Sequence, residues 1–98
     1  MNSPIKVLKD EQFGNPISEK LSNLLRCYTT NNDRANVSIS TGVGSSTVRD
    51  VSYRNNNLTE DNSKAIIALV EIAIKNCRES ISNAQKALKY LSSIVEEK

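Results

Sequence analysis

The chain has no histidine and no tryptophan, and its 98 positions hold only two cysteines, two prolines, three glycines and four aromatic residues. Each shortage excludes something. Without histidine, the commonest general base and the commonest metal ligand are missing. A nucleophile would then need a lysine or a carboxylate to activate it, and no Ser, Thr or Cys stands beside one in a recognisable setting. The paired carboxylates, Asp10-Glu11, Glu60-Asp61 and Glu96-Glu97, are chain neighbours at expected element ends. Helix-dipole stabilisation accounts for the second pair and chain-end solvation for the last. No loop has the ligand spacing of a calcium-binding hand. The expectation is a protein that is not an enzyme and uses no cofactor and no metal.

Two cysteines fifty positions apart, Cys27 and Cys77, do not make a disulfide framework. Each falls on the apolar face of an expected helix, where a free thiol packs as a small hydrophobe. No apolar run approaches membrane-spanning length, and no segment has the pattern of a signal peptide, so the expected location is the cytoplasm, with no membrane contact. The glycosylation patterns at Asn36-Val37-Ser38 and Asn57-Leu58-Thr59 are then coincidences of an Asn-rich chain.

Charge of one sign is scarce as well. The net charge is +2, with 13 cations against 11 anions. Residues 1–32 carry four cations and three anions, 33–58 three and two, and 59–98 six and six. Proteins that live on phosphate backbones usually concentrate basic residues, so nucleic acid is the less expected partner.

What the chain does have is pattern. Ile5 and Val7 alternate behind Pro4, which reads as an edge strand or an arm within residues 1–14. Asn15-Pro16 reads as a helix start. Ile17, Leu21, Leu24, Leu25 and Tyr28 then share one helical face, giving a helix over 15–31 that ends in the Thr-Thr-Asn-Asn-Asp run. Ala35, Val37 and Ile39 alternate with polar residues at the period of a strand. Thr47 to Arg54 is rich in β-formers, with a bulge near Val48 to reconcile its imperfect alternation. Around the turn residues between them, 35–54 reads as a β-hairpin.

From Thr59, a natural helix cap, to position 97 the pattern is that of one long amphipathic helix. Ile67, Ile74, Ile81, Leu88 and Val95 alternate with Val70, Cys77, Ala84 and Leu91 at steps of three and four, a coiled-coil register sustained for four heptads. The first part, Ala65 to Ile74, is apolar nearly all round and is expected in the core of the subunit. The remainder is expected to form a homo-oligomer through Ile74, Cys77, Ile81, Ala84, Leu88, Leu91 and Val95. The flanking positions Ala73, Ser80, Ala87 and Ile94 are small or apolar, which favours a wide interface of several helices. A kink folding the helix back on its own body is the competing arrangement.

The fold class that follows is α+β: a short helix, a hairpin and a long helix forming an oligomeric core, all in one domain. Two features are candidates for binding. Gly42, Gly44, Ser45, Ser46 and Thr47 have the composition of a loop that gathers backbone N–H groups and hydroxyls around an anion. Arg49 and Arg54 follow closely and Arg34 stands just before the first expected strand, three arginines and no lysine, and arginine is the residue of bidentate anion contacts. No lysine stands where a phosphate-binding P-loop needs one. Separately, Lys75, Arg78, Ser82, Lys86 and Lys89 line one side of the long helix. The expected function is that of a small oligomeric binding protein that grips a protein or sequesters a small phosphorylated ligand, in the manner of a phage or mobile-element inhibitor. The alternative is a nucleic-acid-binding regulator using the basic stripe.

Overall fold

A computed structural model describes residues 6–95. Four helices follow in order: α1 (Glu19–Tyr28), α2 (Asn31–Thr41), α3 (Ser45–Ser52) and α4 (Glu60–Ser93). There is no strand among the described residues. The expected α+β class is thereby overturned. The expected hairpin is the helix pair α2 and α3. No edge strand forms in residues 6–14, and the rest of that arm lies outside the described residues.

The failure of the hairpin has a physical cause. The inward residues of α2 are Arg34 and Val37, with Ser38 and Thr41 half-buried beside them. That is the spacing i, i+3, i+4, i+7 of a helix face, but three of its four members are polar. Ile39, which completed the apparent alternation, points outward and is 82% exposed. In α3 the inward residues are Val48, Val51 and Ser52, again at helical spacing, so no bulge is needed. The β-formers there yield to tertiary burial.

The Thr-Thr-Asn-Asn-Asp run does bond side chain to backbone, but chiefly to open a helix. The Thr30 hydroxyl accepts from the Asp33 N–H, and the Asp33 carboxylate accepts from the Thr30 N–H, a capping box that starts α2. α1 likewise starts later than Pro16, because the Ser18 hydroxyl accepts from the Leu21 N–H and sets the cap. Gly42 ends α2 in the left-handed region at φ 76°, where an L side chain is disfavoured.

The core joins Ile17, Leu25, Val37, Val48, Val51 and Leu58 to Ala65, Ile66 and Leu69 of α4. Buried polar groups are satisfied among the described residues: Ser22 Oγ donates to the Ser52 carbonyl at 2.7 Å, and Asn62 Nδ2 donates to the Asn57 carbonyl at 3.1 Å. On α4, Asn76 Nδ2 reaches back to the Tyr28 carbonyl at 2.7 Å and to Asp33 at 3.2 Å. These bonds sit at the last part of α4 that the body covers, since every residue from Arg78 to Val95 is exposed.

α4 is one uninterrupted helix, so it is not folded back. The molecule measures 63 × 37 × 26 Å, with a radius of gyration of 17.4 Å. A compact chain of this length would have a radius of about 13 Å. The difference is the distal part of α4, an arm standing off a small helical body.

The core face of α4 differs from the expected one. Asn62, Ala65, Ile66 and Leu69 turn inward, one position away from the heptad series Ile67, Val70, Ile74. Two stripes therefore run along one helix. One is used by the body, and the other is open from Ile74 onward. Cys27 is exposed and Cys77 half-buried, both as free thiols, so the expectation of two buried thiols does not hold for Cys27.

Candidate functional site

The residues of the supposed hairpin tip are divided among three roles. Gly42 and Gly44 shape a three-residue turn, Gly42 as the left-handed end of α2 and Gly44 as the residue before α3. Val43 between them packs against the core. Ser45 and Ser46 open α3 and are exposed, Thr47 is half-buried, and Arg49 projects with its side chain 60% exposed. Two helices meeting across a short glycine-containing turn make a compact helical pair, the connectivity that αα-hairpins and helix–turn–helix units share. Val37 from α2 and Val48 and Val51 from α3 hold it together from inside.

Around the start of α3 lies a small cleft of about 170 Å³ lined by Asn31, Arg34, Ala35, Ser45, Ser46 and Arg49. The two arginines on it differ. Arg34 is only 8% exposed, its guanidinium bonded to Asn31 Oδ1 and 5.5 Å from the centre of the Tyr53 ring. Arg26 of α1 stacks on the same ring, also at 5.5 Å. Tyr53 thus ties α1 and α2 to the end of α3 through cation–π contacts. Among the described residues Arg49 is held by its neighbour Asp50 at 3.3 Å, a surface pair of little strength. It is free to reach outward.

Arg54 is not part of this cleft. It adopts φ 64°, and its Nε donates to the Ile17 carbonyl at 2.7 Å while Nη1 lies 3.4 Å from Glu19. It anchors the segment after α3 to the start of α1. Of the candidate residues, then, Ser45, Ser46 and Arg49 come together with Arg34, joined by Asn31 and Ala35, which the sequence pattern does not group with them. The signal that could have found them is the spacing Val37, Val43, Val48, Val51 around Gly42, apolar residues set for two short helices and a turn.

The amides opening α3 carry no side-chain cap, unlike the other three helices, and no acidic residue lies in its first turn. A separate cleft of about 430 Å³, between the N-terminal segment and the start of α4, is lined largely by Val7, Leu8, Phe13, Leu58 and Ile67. Lys6, Glu11, Glu60 and Ser63 complete its lining. Among the described residues no three His, Cys, Asp or Glu gather as metal ligands would, and no helix is long and apolar enough to cross a membrane. The stripe Lys75, Arg78, Ser82, Lys86 and Lys89 is exposed throughout. No protein-family model matches the sequence, and neither a curated protein nor a solved structure matches it.

Proposed function

We propose that the chain binds double-stranded DNA and presents α3 to the major groove. The observation that carries this reading is the α2–turn–α3 unit. Its inner face is fixed by Val37, Val48 and Val51, while Ser45, Ser46 and Arg49 stand at the exposed N-terminal part of the second helix. In helix–turn–helix proteins that part of the second helix meets base edges. Arginine can read guanine bidentately and serine can bond any base edge. The small serines let the start of α3 come close to the duplex, and the adjoining cleft offers a backbone phosphate a lining that includes Arg34 and Arg49.

Size argues against the competing ligand. Pockets for whole small molecules run to about 300–1,000 Å³, so a cleft of about 170 Å³ has room for a phosphate group rather than a nucleotide. The basic stripe of α4 is a poorer candidate than α3, because a straight run of lysines can follow a backbone but has no turn that seats it in a groove.

Fluorescence anisotropy with mixed-sequence duplexes, followed by selection of bound sequences, tests the proposal. Binding should weaken steeply with salt. Arg49→Ala should lose roughly 5- to 160-fold on a selected site, the value of one bidentate base contact. Lys86→Ala with Lys89→Ala should lose little. No binding at low salt, or loss confined to the lysine variant, would exclude α3 as the reader.

A further inference from the structure

The distal arm of α4 presents an apolar stripe that its own body leaves uncovered. Ile74, Ile81, Leu88 and Leu91 lie along the continuous helix and Ile94 and Val95 follow directly after its last residue, Ser93; all six are 46–76% exposed. At on the order of 100 Å² of apolar surface each, two such arms would bury about 1,200 Å², the lower edge of a specific interface. We propose that this face pairs with a second copy of the same chain, antiparallel, about a two-fold axis between Ile81 and Ala84.

The stripe is self-complementary in that direction. Antiparallel pairing sets the two seam positions against each other, so Ile81 meets the partner's Ala84, Cys77 meets the partner's Leu88 and Ile74 meets the partner's Leu91. The smallest seam residues face large ones, which fills each layer as close packing requires. Parallel pairing would instead set Cys77 on Cys77 of the partner subunit and Ala84 on Ala84 of the partner subunit, leaving two under-filled layers in the middle. The flanks allow the antiparallel arrangement. Arg78 would lie beside the partner's Gln85, Glu71 beside the partner's Ser92 and Ser80 beside the partner's Ala87, with no like charges opposed.

A second feature lies in register with this pairing. Val70 falls opposite the partner's Val95, and Val70 lines an open apolar cleft with Val7, Leu8 and Ile67. The partner's arm tip would end in that cleft. The inference concerns α4 alone and does not rest on the DNA reading.

Light scattering should give twice the chain mass, and a monomer would overturn the proposal. In a Cys27→Ser background, which removes the exposed thiol, copper–phenanthroline oxidation should leave Cys77 uncrosslinked but join the chains once Leu88→Cys is added. Crosslinking through Cys77 alone would establish the parallel arrangement and overturn the antiparallel one. A nitroxide on Ser92→Cys, with both native cysteines replaced, gives an independent distance. About 30 Å between labels is the antiparallel value, from 19 residues of helical rise, whereas roughly 10–15 Å would refute it.

Discussion

Three arginines in the segment from Arg34 to Arg54 look alike in sequence and differ in every structural respect. Arg34 is built into the body, wedged between Asn31 and the Tyr53 ring. Arg54 is an anchor at a left-handed backbone position. Arg49, among the described residues, makes a surface ion pair with Asp50. Stability should separate them. Arg34→Ala removes a buried stem and a cation–π contact and should cost about 2 kcal/mol in urea denaturation. Arg49→Ala should change stability by less than about 0.5 kcal/mol while weakening DNA binding. An Arg34 variant as stable as the parent would mean that the Tyr53 stack is decorative. An Arg49 variant that unfolds easily would mean that its binding loss reflects damage to the fold.

Elements were legible where apolar residues carried the period. α4 is the plain case: Thr59 caps it, no Pro or Gly interrupts it, and the heptads persist to its end. α1 was visible through Leu21 and Leu25, though its start was misplaced because Ser18, and not Asn15, supplies the cap. α2 was illegible for the opposite reason. Arg34, Ser38 and Thr41 make most of its inner face, so hydrophobic periodicity saw only Val37 and the misleading Ile39. The candidate site is obscured in turn, since the Gly42 to Thr47 composition reads as a loop while Ser45, Ser46 and Arg49 stand on the first turns of α3. The punctuation that sets α2 and α3 can be tested directly. Thr30→Ala breaks the capping box and should cost about 1 kcal/mol. Gly42→Ala should cost about 1 kcal/mol as well, all of it conformational, because a Cβ there meets nothing within 4 Å. Gly44→Ala, at a negative φ, should cost less than Gly42→Ala. Thermal melts of the three variants would check the order, and an equal loss at both glycines would contradict the assignment of the turn.

At the scale of the molecule, the arm is the part of α4 beyond Asn76, whereas α2 packs on the part before it, so their effects on DNA binding can be pulled apart. If two chains pair through α4, each assembly carries two copies of α3 and can meet two half-sites at once. The salt dependence of binding counts phosphate contacts, with a slope of roughly 0.9 per contact neutralised. A variant that separates the chains without touching α3 should therefore lower the slope by about half. Leu88→Asp is such a variant, because it places a charge without a partner in the seam at a residue that is 66% exposed in the single chain. The folded body should be untouched, with circular dichroism and melting behaviour of residues before Asn76 preserved. Its affinity for a two-site duplex should fall to that for a single half-site. A monomeric Leu88→Asp protein that kept the full slope would show that one chain makes all the phosphate contacts, and would confine the arm to a role other than joining two readers.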